Sequence, residues 1–501
     1  MTNTLYDALF GHHANNDAPF LTCDDGRVVT FRQFVARAAQ IAHVLAAHGV
    51  EPGDRVLVHA PKLDETVALY AATIQAGAIY LPLNTAYTQA ELDYFAEDAT
   101  PKLIVCDAAT VQDAAPLANR IGAAVLTLSK EGGSLSTEAD SHRTTFETVQ
   151  RGPDDLAALL YTSGTTGRSK GAMLSHKNLL SNAQVLTSHW KMTASDGLIH
   201  ALPIFHTHGL FVAVNTCLMA GARIRLIETF SVDAILAALP AATMMMGVPT
   251  FYTRLLDDDR FTGALAADMR LFISGSAPLL AETHTAFEDL TGHRILERYG
   301  MTETNMITSN PYDGNRVAGT VGFALPGTEV RIVDPETAEK KPSGEIGVIE
   351  VRGDNVFQGY WNMPEKTAEE LRPDGFFVTG DLAIASEDGR ITIVGRAKDL
   401  IISGGYNIYP KEIEDVLNDV DGVLESAVFG VPHPDFGESV IAAIVSTPGS
   451  TADTDTLQAE VSKKLARFKH PRRYVPLDQL PRNTMGKVQK NILRDTHQSI
   501  A

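Results

Sequence analysis

A loop of hydroxyl side chains and glycines that ends on a lysine constrains this chain more than any other segment. Residues 161–171 read YTSGTTGRSKG and follow the apolar run 156–160, which has the length of a buried strand. Glycines let backbone N–H groups approach an anion closely, hydroxyls add donors, and Lys170 supplies a positive charge. The spacing is not that of a Walker A loop. We interpret the segment as a polyphosphate-binding loop; the alternative is an ordinary surface turn.

Composition excludes several classes of protein. The chain has 501 residues, too many for one compact core, and a formal net charge of −19, which argues against nucleic-acid or anionic-membrane partners. No apolar run reaches the roughly 20 residues of a membrane span, and residues 1–6 do not begin a signal peptide. Cys23, Cys106 and Cys217 are widely spaced and lack metal-ligand spacing. We expect a cytoplasmic protein.

Strand and helix patterns alternate through most of the chain. Threonine begins a capping box at Thr30 and at Thr88, each followed three residues later by Gln or Glu. Strand candidates are 55–59, 78–82, 103–106, 124–127, 222–227, 243–246 and 271–274. Such alternation predicts parallel sheets covered by helices on both faces. The low-complexity stretch 131–138 is expected to be a solvated loop.

The pattern changes after about Gly322. Short strands at 329–333, 347–351 and 390–394 are separated by Gly- and Pro-rich turns, which indicates a β-rich subdomain. The segment from Lys398 onwards is long enough for a small α+β domain. We therefore predict an α/β protein: a large N-terminal domain, 1–396, with two α/β sheet subdomains and a small β-rich subdomain, then a small α+β domain, 397–501.

Further motifs follow the loop in a fixed order. They are LPIFH (202–206), SGSAP (274–278), ERYGMTE (297–303), TGD (379–381), GR (395–396), SGGY (403–406) and PRNTMGK (481–487). With the loop, they make the chain resemble the acyl-adenylate-forming superfamily of acyl-CoA synthetases, luciferases and peptide-synthetase adenylation domains. The resemblance spans about residues 30–494. One departure is Ser169, where proline is usual, which would leave that turn less rigid.

The resemblance implies an ATP site and a CoA site. The implied ATP-binding residues are Thr162, Ser163, Gly164, Thr165, Thr166, Gly167, Lys170, Ser276, Ala277, Pro278, Glu297, Arg298, Tyr299, Gly300, Met301, Thr302, Asp381, Arg396 and Lys487. Among them Tyr299 would stack on adenine, and Asp381 with Arg396 would bind the ribose. CoA would pass Ser403, Gly404 and Gly405.

Catalysis and motion are also implied by the resemblance. Thr302 would contact the α-phosphate, Glu303 would hold Mg²⁺ as a hard carboxylate ligand, and His206 would line the acyl pocket. Lys487 would be the catalytic lysine, and Lys398 the hinge about which a mobile C-terminal domain rotates. If a lysine acetyltransferase and deacetylase acted on Lys487, loss of its charge would stop adenylation.

Arg298 points to the acid that is activated. On its own it could be solvated, or could pair with Glu297 or Glu303. Inside an acyl pocket a guanidinium needs an anionic partner, and a second substrate carboxylate would provide one. The implied pocket neighbours are His206, Thr207, Ser276 and Met306. Segments 205–209 and 296–306 resemble those of malonyl-CoA synthetases, which implies malonate, with methylmalonate tolerated.

Three alternatives remain from the sequence. One is a short-chain monocarboxylate–CoA ligase acting on acetate or propionate. Another is an adenylating enzyme that loads a separate acyl-carrier protein, although no carrier serine motif follows Lys487. The third is a catalytically inactive nucleotide-binding protein, which would be expected to lack some of the motif residues.

Overall fold

The computed structural model describes residues 3–162, 169–403, 406–450, 452–483 and 486–498. In chain order its strands are β1 (Pro19–Thr22), β2 (Val28–Thr30), β3 (Arg55–His59), β4 (Ile79–Pro82), β5 (Leu103–Cys106), β6 (Ala124–Thr127), β7 (Leu156–Thr162), β8 (Lys170–Ser175), β9 (Gly197–His200), β10 (Arg223–Leu226), β11 (Met244–Gly247), β12 (Leu271–Ser274), β13 (Leu296–Met301), β14 (Asn305–Ser309), β15 (Phe323–Ala324), β16 (Thr328–Val333), β17 (Gly347–Gly353), β18 (Phe377–Ala385), β19 (Ile391–Arg396), β20 (Ile401–Ser403), β21 (Tyr406–Ile408), β22 (Val423–His433), β23 (Gly437–Ser446) and β24 (Arg473–Pro476).

The α-helices are α1 (Thr4–Leu9), α2 (Phe31–Ala47), α3 (Asp64–Gln75), α4 (Gln89–Ala99), α5 (Val111–Ile121), α6 (Ser134–Asp140), α7 (His176–His189), α8 (Asn215–Ala220), α9 (Val232–Ala238), α10 (Pro249–Leu256), α11 (Ala281–Thr291), α12 (Pro364–Glu370), α13 (Pro410–Asn418), α14 (Thr454–Lys464) and α15 (Lys490–His497). Residues His208–Val214 form a π-helical segment. None of these described helices is long and apolar enough to cross a membrane.

Two mixed sheets dominate the first compact unit, which comprises Met1–Val330 and Val351–Phe377. One sheet has the order β6-β5-β3-β4-β7-β8 and the other β15-β14-β13-β12-β11-β9-β10-β1-β2. Their central strands run parallel, whereas β8, β14, β15 and β2 join antiparallel at the edges. Every residue of β5 and of β12 is buried, as expected for parallel strands covered on both faces. The predicted α/β fold is confirmed.

Local signals place the helices well. Both predicted capping boxes form, at the starts of α2 and α4. The solvated loop predicted at 131–138 is wrong in its second half, because α6 begins at Ser134. Leu135 is fully buried there, and Arg37 of α2 donates hydrogen bonds to Asp140 Oδ1 (2.7 Å) and to the Ser136 carbonyl (3.2 Å). Packing against a distant helix therefore overrode a helix-poor local composition.

The second unit comprises Arg331–Glu350 and Val378–Ala501. Its main sheet has the order β21-β20-β23-β22, with β24 parallel to β23. Apolar residues of α13 and α14 pack in one core cluster with this sheet, and Leu493 of α15 belongs to another. Strands β16 to β19 form a separate sheet in chain order. The domain division at 396/397 concerns motion about Lys398 and stays a prediction.

Candidate active site

The phosphate-loop candidate is flanked by two antiparallel strands. Thr162 at the end of β7 lies opposite Lys170 at the start of β8, which fixes both ends of the loop. The carbonyl of Ser169 accepts a hydrogen bond of 2.7 Å from the Tyr94 hydroxyl. The predicted loop residues Ser163, Gly164, Thr165, Thr166 and Gly167 lie outside the described residues.

Lys170 is held by residues that the sequence analysis missed. Its Nζ lies 3.0 Å from Oε1 of Glu370 and 4.1 Å from the ring centroid of Tyr360. The Tyr360 hydroxyl in turn lies 2.6 Å from Glu370 Oε2 and 3.1 Å from Glu303 Oε1. A hydrogen-bonded chain thus joins Lys170 to Glu303. No local motif marks Glu370 or Tyr360, because their partners are distant in sequence.

The charges in this hydrogen-bonded series keep the Tyr360 hydroxyl protonated. Burial, followed by the charges of Glu303 and Glu370, raises the pKa of Tyr360 far above its ordinary value. Burial alone would raise the pKa of Glu370, but hydrogen bonds from Tyr360, Lys366 and Lys170 outweigh it and hold that pKa below its usual value. Tyr360 therefore acts as a donor between two carboxylates at neutral pH.

The donor set fits Mg²⁺ only together with a polyphosphate. Glu303 is 5% exposed, and its carboxylate is oriented by Tyr360. In the part of the chain that the structure describes, no group of three or more His, Cys, Asp or Glu side chains could hold a metal. Mg²⁺ typically binds through one or two carboxylates, waters and substrate phosphates, so a single buried carboxylate suits it.

The residues predicted to contact adenine lie at the carboxyl ends of two neighbouring parallel strands, β12 and β13. Ser276 follows β12 with a left-handed backbone (φ +74°), a conformation that non-glycine residues rarely adopt and that is common at functional sites. Tyr299 lies on β13, opposite Thr308 of β14. Ala277, Pro278, Gly300, Met301 and Thr302 lie in the same two segments. The carboxyl edge of parallel strands is where α/β sheets bind ligands.

Glu297 contacts protein groups that hold the start of β13. It is buried, and its Oε1 lies 3.0 Å from Nδ1 of His284 and accepts a hydrogen bond of 3.2 Å from the Gly319 N–H. These contacts fix the start of β13 and so the direction of the strand that carries Arg298 and Tyr299. Direct ATP contact by Glu297 stays a prediction.

Arg298 is a buried cation. It is 4% exposed, and neither its Nε nor its Nη2 has a hydrogen-bond partner among the described residues. Burial lowers the pKa of Arg298 to about 9, which leaves it charged at neutral pH. Among the described residues no ion pair joins Arg298 to Glu297 or Glu303; Glu297 contacts His284, and Glu303 contacts Tyr360.

Buried polar atoms without partners occur in the two segments, 207–208 and 274–276, that carry the neighbours of Arg298. His208 Nδ1 lies 3.1 Å from Ser276 Oγ, whereas the buried atoms His208 Nε2, Thr207 Oγ1 and Ser274 Oγ have no hydrogen-bond partner among the described residues. Burial and the charge of Arg298 keep the pKa of His208 well below its usual value, so its ring is neutral. A buried group of this kind is suited to a polar ligand.

His206 and Met306 are the other two residues predicted to line the acyl pocket. His206 is half-buried, and its Nδ1 accepts a 3.4 Å hydrogen bond from the N–H of His208. Met306 is buried on β14, where its carbonyl accepts a hydrogen bond from Asn182. The sequence analysis selected His206 but missed His208, although both lie in the segment 205–209.

In the second unit, two predicted ribose residues form an ion pair. Asp381 of β18 lies opposite Arg396 of β19, and Arg396 Nε lies 2.6 Å from Asp381 Oδ1. Asp381 is buried, so the guanidinium fixes its orientation. The sequence spacing alone did not place the two in register; the antiparallel ladder does.

Lys487 and Lys398 lie near this pair. Lys487 follows Gly486 (φ +74°), and its N–H donates to Asn483 Oδ1 at 3.0 Å, so a tight turn presents the side chain. That side chain retains exposed surface, yet burial of the ammonium and the charge of Arg396 lower the pKa of Lys487. Ser403 is buried and donates to the Glu438 carbonyl at 2.6 Å, whereas Gly404 and Gly405 lie outside the described residues.

Comparison with known proteins agrees with this arrangement. The family model "AMP-binding enzyme" matches residues 11–361, and "AMP-binding enzyme C-terminal domain" matches 412–487. The crystal structure of ATP-bound MatB from Rhodopseudomonas palustris superposes with a TM-score of 0.98 at 53% identity, over 100% of both chains.

Curated relatives show the same family with different acids. A malonate–CoA ligase of Arabidopsis thaliana is 32% identical over 98% of this chain and 88% of its own length. A long-chain-fatty-acid–CoA ligase of Bacillus subtilis is 33% identical over 93% of this chain and 90% of its own. The chain therefore belongs to the AMP-binding enzyme family and is an AMP-forming acid–thiol ligase.

Proposed function

We propose that this enzyme is a malonate–CoA ligase, which converts malonate, ATP and CoA into malonyl-CoA, AMP and pyrophosphate through malonyl-adenylate. The observation that carries this proposal is the buried Arg298, with two nitrogen atoms unpartnered among the described residues. An isolated buried charge costs several kcal/mol, about the scale that a carboxylate partner could offset. A dicarboxylate offers one carboxylate for activation and a second for Arg298 in bidentate geometry.

The pocket chemistry separates malonate from other acids. A fatty or aromatic acid would bury Arg298 without a partner, and acetate, which has one carboxylate, has no second charge to offer. Thr207 and Met306 are both buried and would limit the space around the central carbon of malonate. Space for one methyl group there would let methylmalonate bind. The name of the Arabidopsis relative, a malonate–CoA ligase, and the similarity to MatB support this assignment.

In the first step a carboxylate oxygen of malonate attacks the α-phosphorus of ATP, and the bond to the β-phosphate breaks as pyrophosphate leaves. Two anions must meet, so catalysis consists mainly of positioning and charge neutralisation. Lys170 and Thr302 would hold phosphate oxygens, and Lys487 the reacting carboxylate and α-phosphate. Mg²⁺ held at Glu303 would neutralise phosphate charge. Tyr299, Asp381 and Arg396 would bind the nucleoside.

In the second step the CoA thiol attacks the acyl carbon, the thiol proton is lost to solvent, and AMP leaves. Ser403, Gly404 and Gly405 would line the path of the pantetheine arm after rotation about Lys398, and His206 would line the acyl group. Acetylation of Lys487 would remove its charge and stop only the first step; enzyme acetylated there that still adenylates at full rate would refute that idea. A cytoplasmic location fits these substrates.

The decisive experiment is pyrophosphate release with ATP, Mg²⁺ and CoA across malonate, methylmalonate, succinate, acetate and benzoate. We expect strong preference for malonate. Acetate turned over at equal efficiency would instead indicate a short-chain monocarboxylate–CoA ligase. Pyrophosphate release with no CoA-stimulated release of AMP would fit an enzyme that loads a separate carrier protein. ATP binding without pyrophosphate release would indicate an inactive protein.

A further inference from the structure

We propose that Tyr360 and Glu370 are positioning residues that hold Lys170 and Glu303 in place for the MgATP complex. This inference rests on the proposed function, which assigns phosphate binding to Lys170 and Mg²⁺ binding to Glu303. Lys170 begins β8 of one sheet, and Glu303 lies in the turn between β13 and β14 of the other; the hydrogen-bonded series Lys170–Glu370–Tyr360–Glu303 connects them.

The backbone fixes Tyr360 beside β8. The N–H of Trp361 donates to the Gly171 carbonyl at 2.7 Å, and the N–H of Met173 donates to the Gly359 carbonyl at 3.0 Å. Tyr360 therefore lies opposite Ala172, two residues from Lys170. Because β8 begins at Lys170, the ring of Tyr360 and the lysine ammonium keep a constant relation through a rigid ladder.

Glu370 lies at an unfavourable place for an anion. It is the last residue of α12, where the helix macrodipole disfavours negative charge. Its carboxylate is nevertheless held by Lys170 at 3.0 Å, by Lys366 at 3.0 Å and by the Tyr360 hydroxyl. Lysine is a point charge on a flexible stem, so a fixed partner is what restricts its ammonium to one location.

The phenol divides its contacts unequally. A tyrosine hydroxyl has one proton to donate, so the two carboxylates share it in a three-centre hydrogen bond, with the shorter branch of 2.6 Å to Glu370 and the longer branch of 3.1 Å to Glu303. The hold on Glu370, and through it on Lys170, is therefore the stronger one. Any change that draws the phenol towards Glu303 weakens the hold on Glu370, which couples the metal-binding and phosphate-binding groups.

The test uses Tyr360→Phe and Glu370→Gln in the full chain. Calorimetric ATP binding with Mg²⁺ and with EDTA measures how much Mg²⁺ tightens ATP binding. We expect Tyr360→Phe to reduce that enhancement about tenfold, because a hydrogen bond to a charged group is lost. We expect Glu370→Gln to keep the enhancement but to slow single-turnover adenylate formation about tenfold, with KM for MgATP changed less than threefold.

Matched variants separate the outcomes. Glu369 is next to Glu370 and, within the described part of the chain, forms an ion pair with Lys366 alone, so Glu369→Gln should change neither quantity. If Lys170→Ala and Glu303→Gln also behave like the unmodified enzyme, the proposed ATP site is wrong. If those two are impaired while Tyr360→Phe and Glu370→Gln stay within twofold, the positioning roles are refuted. A lower Tm without the expected difference between the Mg²⁺ enhancement and the adenylation rate would also refute them. If Tyr360→Phe does not fold, the single-turnover rate of Glu370→Gln decides alone.

Discussion

The guanidinium of Arg298 lies directly against the backbone of Gly275. A Cβ atom added at Gly275 would stand 2.3 Å from Cζ of Arg298 and 2.5 Å from Nη1. Real Cβ atoms do not approach other atoms so closely, so only glycine at the end of β12 lets the arginine occupy its pocket. The proposed specificity of the enzyme therefore depends on a residue that bears no side chain.

Gly275→Ala should displace Arg298 and weaken malonate binding. The Gly275 backbone is not left-handed, so alanine fits its torsions and the effect is steric. We expect KM for malonate to rise at least about tenfold, with KM for MgATP within about twofold, since loss of one charge-assisted contact costs about 1.5–3 kcal/mol. Steady-state kinetics measure both. The control is Gly152→Ala, where the nearest atom to a new Cβ is 3.8 Å away; equal loss in both variants would contradict the steric argument.

Arg298→Met should abolish malonate activation and stabilise the free enzyme. We expect kcat/KM for malonate to fall about 100-fold or more, while ATP affinity changes little. Replacing an unpaired buried charge by an apolar side chain should raise the free energy of unfolding by about 1 kcal/mol or more. Urea unfolding without substrate measures the second effect. A destabilised variant that loses ATP and malonate binding equally would make Arg298 a structural residue.

Lys487→Ala should separate the two half-reactions. Removing one cation that acts on the transition state costs about 10²–10³ in rate, so malonyl-adenylate formation should fall by that amount. Thioester formation from preformed malonyl-adenylate should stay within about threefold. The exposed Lys463 of α14 supplies the control variant Lys463→Ala. Parallel loss in both half-reactions would argue against the two-conformation mechanism.

Buried histidines should make the chain acid-labile. Burial lowers the pKa of His13 and His176 to about 4 and that of His200 to about 3. In the unfolded chain these groups titrate near pH 6.5, so between about pH 6.5 and 4 the unfolded state binds more protons. The stabilisation is complete above pH 6.5 and declines below it, by about 1.4 kcal/mol per pH unit for each histidine.

Unfolding free energies measured from pH 7.5 to 4.5 test whether stability declines as the pH falls. His13→Gln should remove about one proton from the pH slope. A slope that is flat below pH 6.5 would show that these rings do not remain neutral in the folded state.

Much of the fold could be predicted because its signals are local. The predicted strand 103–106 coincides with β5, and 271–274 with β12, since short apolar runs bounded by turns have few other solutions in an α/β chain. Capping boxes at Thr30 and Thr88 set two helix starts through contacts three residues apart. Helix α6 was missed because its stability comes from burial of Leu135 and from Arg37, far away in sequence.

The sequence by itself determined the family and the identities of the motif residues, because these depend on residue types in a fixed order. Only the tertiary structure decided that Arg298 is buried without a partner among the described residues, that His208 contacts Ser276, and that Glu370 holds Lys170. Burial and pairing are properties of distant segments brought together. A carboxylate such as Glu370, 200 positions from its lysine, carries no local sign of that role.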